Sequence, residues 1–228
     1  EWGVLDPARL SWLDVPPRAV LDSARSTLRA LGALDQQGRI TSHGRAMASW
    51  PVHPRLAHLL IESRHRGVER DGARLAALLA ERDILRRAED VDITSRLDLL
   101  DQPSRGVGID QSALARARKL SGQFEKRMAS EQVSSVRPFL DAGGLLALAY
   151  PDRIAQRRPG STGKFLLANG KGAVISNADR LGKCDFLVAI DLDDRGREAQ
   201  IRLAVGLSGE MLEAATAHRW QQATETFW

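Results

Sequence analysis

The run Leu31-Gly32-Ala33-Leu34-Asp35-Gln36-Gln37-Gly38-Arg39-Ile40-Thr41-Ser42-His43-Gly44-Arg45-Ala46-Met47-Ala48 decides how this chain folds. Before it, Ala19, Val20, Leu21, Ala24, Leu28 and Leu31 recur with helical spacing. Pro17 suits the first turn of that helix and Gly32 the position just past its end. Ala33-Leu34 and Ile40 are short apolar patches around a polar, Gly-containing turn, which predicts a small hairpin. Thr41 or Ser42 can cap a second short helix through Met47. Helix, tight hairpin and helix within about fifty residues match part of a winged-helix unit in size and order.

Downstream, residues 51–150 read as helical. Leu56, Leu59, Leu60 and then Leu75, Leu78, Leu79 recur at three- and four-residue steps with Arg and Glu between them, giving two amphipathic helices. Asp71 and Gly72 open the second. Ile93, Leu97 and Leu100 make a third stripe, broken by Pro103-Ser104-Arg105-Gly106. A fourth begins near Asp110 and runs through Ala113, Leu114, Ala117, Leu120, Phe124 and Met128, with its cations largely on the other face. Antiparallel helices joined by short loops form a bundle. Residues 151–228 change period: Phe165 and Leu167, Val174 and Ile175, Phe186 to Leu192, and Ile201 to Val205 are short runs separated by turn formers. With a helix from Ser208 to about Gln222, they predict a small antiparallel barrel or curled sheet.

Composition narrows the class. In 228 residues there are 33 Lys+Arg against 29 Asp+Glu, 43% apolar residues and one cysteine. Cys184 alone cannot form an internal disulfide, so a bridge-stapled secreted scaffold is excluded and a reducing, cytoplasmic setting is expected. No stretch of about 18 residues is free of charge and apolar, and no leader opens the chain, so neither a membrane span nor a signal peptide is expected. The start at Glu1 rather than Met leads us to expect a piece of a longer protein. The net charge of +4 is small, but its distribution is uneven. Cations outnumber acids in 51–87, 111–137 and 151–183, whereas acids dominate 184–228. Such alternation can present one basic face to nucleic acid, as can ordinary solvated helix surfaces.

Several motifs fail on inspection. Pro159-Gly160-Ser161-Thr162-Gly163-Lys164-Phe165 imitates a phosphate loop, but Arg158 stands where its first glycine belongs and Phe165 where a magnesium-binding hydroxyl belongs. It reads as a Gly-rich hairpin turn. Asp191-Leu192-Asp193-Asp194-Arg195-Gly196 imitates the start of a calcium loop, but Arg195 and Arg202 occupy ligand positions. His53, His58 and His65 are spaced by five and seven, which does not align two imidazoles on a helical turn, so no metal site is expected. No nucleophile elbow or paired-carboxylate spacing points to a self-contained active site. The tryptophans, Trp2, Trp12, Trp50, Trp220 and Trp228, sit near element ends as hydrophobic plugs or base-stacking surfaces, with Trp50 before Pro51 the best plug.

The stretches Leu31 to Asp35, Gly38 to Thr41, His43 to Ala48 and Pro51-Val52-His53-Pro54-Arg55-Leu56-Ala57 resemble the winged-helix to helical-bundle junction of DEAH-box (DEAH/RHA) ATP-dependent helicases. His53 and His58 point to the bacterial HrpB-type branch. Leu78-Leu79-Ala80-Glu81-Arg82-Asp83, Ala149-Tyr150-Pro151-Asp152-Arg153-Ile154-Ala155 and Phe165-Leu166-Leu167-Ala168-Asn169-Gly170-Lys171-Gly172-Ala173 extend the resemblance over essentially the whole chain.

The resemblance implies an α+β multidomain chain. Residues 1–50 would be the end of a motor domain plus the winged-helix unit, 51–150 the ratchet-like bundle, and 151–228 an OB-like barrel with a C-terminal helix. In such helicases two RecA-like motors hydrolyse ATP with magnesium while these accessory parts complete a channel for single-stranded RNA or DNA. This sequence has neither a Walker A loop nor an Asp-Glu-Ala-His motif. ATP and Mg2+ are therefore expected in the parent enzyme, with no cofactor and no ATPase activity in this chain itself. Expected partners are the single strand, the motor domains of the parent and, as a further option, a stimulating protein. Charge and position, rather than family motifs, nominate Arg116, Lys119, Arg127, Arg157, Arg158, Lys164 and Lys171 as strand contacts. Two readings compete: a free-standing winged-helix DNA-binding regulator, although Thr41 to Ser49 carries only Arg45 as a basic recognition residue, and a protein-interaction module whose bundle or barrel docks a protein that stimulates the motor.

Overall fold

The computed structural model describes residues 10–86, 90–101, 108–129 and 137–217. Helix α1 (Arg18–Ala30) starts at Pro17, whose carbonyl accepts from the amides of Val20 and Leu21. It ends where Gly32 turns into the left-handed region at φ 69°, a conformation that costs glycine least. The predicted hairpin is reduced to one bridge, Leu34 to Ile40, because the chain turns into the next helix immediately after Ile40 and leaves no residue for a second rung. Thr41 caps α2 (Ser42–Ala48), accepting from the Gly44 amide at 2.9 Å while its hydroxyl donates to the Gly32 carbonyl at 2.6 Å. A Cβ at Gly44 would lie 2.2 Å from the Ala33 carbonyl oxygen, so α2 approaches this turn only through a glycine.

The bundle consists of α3 (Pro54–Arg64), α4 (Glu69–Ala80), α5 (Ile93–Asp101), α6 (Gln111–Ala129) and α7 (Ala142–Ala149). His53 caps α3, and the predicted opening of α4 at Asp71 moves forward to Glu69. Helix α7 has no apolar stripe to read, because Gly143 through Ala149 are all buried. It packs against α3, α4 and the barrel, so every side of it meets protein.

Strands β1 (Ile154–Arg157), β2 (Lys164–Leu167), β3 (Gly172–Val174), β4 (Phe186–Asp193) and β5 (Ala199–Leu207) close a barrel in the order β1-β2-β3-β5-β4. The expected antiparallel pairing holds except at closure, where Ala173 and Val174 of β3 pair in parallel with Ala199 and Gln200 of β5. The long β5 thus serves two neighbours, β3 at its start and β4 along its length. Ala155, Phe165, Leu167, Ala173, Leu187 and Ile201 fill the barrel, whereas Val188, Ile190, Val205 and Leu207 face outward into the core that α3, α4 and α7 share. Ser208 caps α8 (Gly209–Thr216), which lies on α7; the expected continuation to Gln222 falls outside the described residues.

Ion pairs tie barrel to bundle. Arg55, buried in α3, donates to the Ala149 carbonyl at 2.9 Å and to both carboxylate oxygens of Asp152, at 2.7 and 3.0 Å. Buried Arg96 donates to the carbonyls of Asp90 and Asp92 and to the Asp83 carboxylate, while the buried Asp92 carboxylate receives Arg180 from the barrel at 2.6 Å. No helix among the described residues is long and apolar enough to cross a membrane.

Candidate nucleic-acid interface

Helix α6 is built with two faces. Ala113, Leu114, Ala117, Ser121, Phe124 and Met128 are buried, and the helix packs chiefly on α4. Arg116, Lys119, Gln123 and Arg127 follow one another at three- and four-residue steps along another stripe, so three nominated cations share a face. Arg116 donates to Glu81 at 2.8 Å, which raises its pKa. Arg127 lies 4.3 Å above the Trp50 ring and donates to the Ser49 carbonyl at 2.8 Å. Trp50 is the expected plug: it is buried and meets Phe124 edge-on at 5.9 Å. Trp12 is half-exposed, while Trp2, Trp220 and Trp228 lie outside the described residues. Arg118, on the same helix, is instead spent on local structure, donating to the Leu99 and Leu100 carbonyls near the end of α5.

The four remaining cations gather where β1, β2 and β3 meet. Arg157 pairs with Phe165 across the strands, and the Arg158 amide donates to the Lys164 carbonyl at 2.9 Å. A Cβ at Gly172 would meet an Arg158 guanidinium nitrogen at 2.6 Å, so Arg158 reaches across the sheet to the residue beside Lys171. Three of these cations have carboxylate partners: Arg157 with Asp185 at 2.6 Å, Arg158 with Glu198 at 3.2 Å, and Lys171 with Asp194. No ion pair joins Lys119 or Lys164 to another described residue. The acidic end segment seen in the sequence therefore folds back onto the basic strands, and the barrel's field is weaker than its cation count suggests. Exposed pairs of this kind are worth little to stability and can exchange a carboxylate for a phosphate. The two groups sit on different elements, α6 and the barrel strands, with α5 packed against both α6 and β5.

Sequence reasoning missed Leu166. It is 47% exposed, shares the outward side of β2 with Lys164, and places an apolar contact among the cations. Period-two alternation across Lys164-Phe165-Leu166-Leu167 could have identified it, since Phe165 and Leu167 point inward. Sequence spacing also missed a histidine pair: His43 of α2 stands against His58 of α3, with Glu62 one turn along.

The residues here do not fit a nucleotide. In the stretch that imitates a phosphate loop, the Gly163 amide donates to the Gly182 carbonyl and Phe165 is fully buried inside the barrel. A phosphate cradle needs free amides and a hydroxyl at those places.

Three comparisons bear on the family. Residues 24–52 match the helicase-associated domain (HA2), winged-helix family. The chain is 33% identical over 192 residues to the ATP-dependent RNA helicase HrpB of Escherichia coli (strain K12), covering 83% of this chain and 21% of that protein. It is 33% identical over 88 residues to the pre-mRNA-splicing factor ATP-dependent RNA helicase prp22 of Schizosaccharomyces pombe, covering 39% and 8%. Among solved structures, the E. coli DExH-box NTPase HrpB superposes with a TM-score of 0.74 at 31% identity over 95% of this chain and 25% of its own, and a second structure of that DEAH/RHA helicase with 0.71 at 31% over 92% and 24%. The chain therefore spans about a fifth of the length of the HrpB relative. It corresponds to an accessory region of the DEAH-box helicases, the one that carries the helicase-associated winged helix. Within them it is of the HrpB type, with the winged helix, bundle and OB-like barrel of that branch.

Proposed function

We propose that this chain guides single-stranded nucleic acid past the motor domains of an ATP-dependent helicase, with RNA the favoured substrate. The observation that carries the reading is the similarity over 83% of the chain to a protein named as an ATP-dependent RNA helicase. Phosphates would be met by Arg116, Lys119 and Arg127 on α6 and by Arg157, Arg158, Lys164 and Lys171 on the barrel, with Leu166 under a base or sugar. Phosphate neutralisation supplies most sequence-independent affinity, which falls with salt. ATP and Mg2+ would be held by the motor domains of the parent enzyme, in the cytoplasm. Residues 1–50, 51–150 and 151–228 would serve as motor-end plus winged helix, bundle, and barrel. The winged-helix regulator is disfavoured by the HrpB match, which extends through the bundle and barrel.

Two measurements test this. The isolated chain should show no ATP turnover with or without RNA, and significant turnover would overturn the assignment of ATP to the motors. In the full helicase, joint charge reversal of Arg157, Arg158 and Lys171 should weaken single-strand affinity and flatten its salt dependence. Unchanged affinity and slope would remove the barrel from the strand path.

A further inference from the structure

The joint between α2 and α3 holds a cluster of metal-ligating side chains that the strand-guiding role does not use. His43, His58 and Glu62 each present one ligand atom, and these atoms lie within 4.8 Å of one another. His58 and Glu62 stand one helical turn apart on α3, while His43 comes from the winged-helix side, so the cluster spans two elements. His43 Nε2 and His58 Nδ1 are 2.8 Å apart and the rings are perpendicular, with centroids 5.0 Å apart. Two nitrogens bound to one tetrahedral zinc at about 2.0–2.1 Å lie roughly 3.3 Å from each other, so a modest opening of this contact would admit an ion in place of the shared proton. A cavity of about 570 Å³, lined by these three residues with Arg66, Arg137 and Leu148, supplies an entry path and room for a water as fourth ligand.

The surroundings select the kind of ion. Burial pushes His43 below the usual histidine range, with Arg137 and His65 adding to the shift and Glu62 opposing it. Arg137 donates to both oxygens of Glu62 at 2.7 Å and Arg66 to one of them, which fixes the carboxylate as outer-shell donors fix metal ligands. Those two guanidinium charges exceed the single charge of Glu62. They weaken the site for any dication, so selectivity rests on ligand type: two imidazole nitrogens suit a borderline ion, whereas a hard cation that prefers an all-oxygen shell is disfavoured.

We propose that His43, His58 and Glu62 form a binding site for a divalent transition ion of the zinc class, which pins the winged-helix unit to the bundle. Calorimetric titration of the 228-residue chain, stripped with chelator, should show one saturable zinc per chain. Magnesium at the same concentrations should give no binding. Cobalt(II) should give the visible absorption of a tetrahedral-type nitrogen and oxygen field, and saturating zinc should raise the thermal midpoint. His43→Asn, on the half-exposed ligand, should weaken zinc binding at least about tenfold, the scale of losing a determinant of a metal site. Glu62→Gln should do likewise, whereas His53→Ala, outside the cluster, should leave zinc affinity unchanged. Absence of stoichiometric zinc binding by the unaltered chain would overturn the proposal whatever the variants do. So would unchanged zinc affinity in His43→Asn, equal loss in His53→Ala, or magnesium binding as tightly as zinc.

Discussion

The bundle and the barrel handle charge in opposite ways. Among the described residues, every buried polar or charged side chain belongs to the helical half: Arg55, His58, Glu62, Ser63, Asp92, Arg96 and Ser121. The barrel buries none, and its Arg157, Arg158 and Lys171 pair with acids on its surface. The bundle's helix ends and interhelical carbonyls need donors, so its arginines become internal struts. The barrel satisfies its backbone by strand pairing, which leaves its cations outside and exchangeable. One Arg-rich composition therefore does two jobs, and a count of cations cannot separate them.

The sharpest test of that contrast is to remove one residue from each interior. Phe165→Ala should cost about 3–5 kcal/mol through the cavity left in the barrel, seen as a lower denaturation midpoint and loss of barrel protection in hydrogen exchange. Arg96→Ala should cost about 3 kcal/mol, because it leaves the Asp90 and Asp92 carbonyls and the Asp83 carboxylate without their donor. If Arg96→Ala were as mild as a surface change, the bundle's arginines would not be struts.

Acidification should act on the same side of the comparison. Burial raises the Glu62 and Asp152 carboxyls, but His58, Arg66 and Arg137 outweigh it at Glu62, and Arg55 does so at Asp152, so both end below their ordinary values. Their stabilisation is present above the unfolded carboxylate range and is lost as pH falls through the folded values. Burial also lowers His43, His53 and His65, so the unfolded chain takes up protons first, and stability begins to fall below about pH 6.5. A thermal midpoint measured from pH 8 to 4 should decline throughout the acid side, and His43→Asn should lessen the part lost between about pH 6.5 and 5. A flat profile would contradict the folded charge network.

The surface tests should be nearly silent in stability. Joint reversal of Arg157, Arg158 and Lys171 should shift stability by only about 1 kcal/mol, while the salt slope for single strands in the full helicase falls by about 2, or roughly 0.7 per lost phosphate contact. Lys164→Ala should be the smallest change, about 0.7 in slope with unaltered thermal midpoint. A large stability loss in either variant would show that the barrel's charges are struts as well.

Much of the fold was legible because local rules agreed with the tertiary outcome. Pro17, Gly32 and Thr41 mark the ends of α1 and α2 through backbone chemistry that needs no partner. Alternation announced β4 and β5, and three-and-four spacing announced α3 to α6. Helix α7 stayed hidden because protein on all sides erases the polar face that defines a stripe. Strand β1 stayed hidden because four residues ending in Gln156-Arg157 carry too short a pattern. For the candidate interface, sequence supplied the cations but not their carboxylate partners, because Glu198 and Asp194 reach Arg158 and Lys171 only when the β4–β5 hairpin closes the barrel.

By itself the sequence determined the α+β class, the order of winged helix, bundle and barrel, the absence of a phosphate loop from residues 159–165, and the likeness to DEAH-box helicases. Caps, periodicities and motifs are local, and local energetics fix them. Tertiary structure alone decided that the barrel closes through a parallel pair, that Arg55 and Arg96 serve the interior while Lys119 and Lys164 face outward, and that His43 meets His58. Those facts depend on groups far apart in the chain becoming neighbours, and only the packing of one element on another sets such distances.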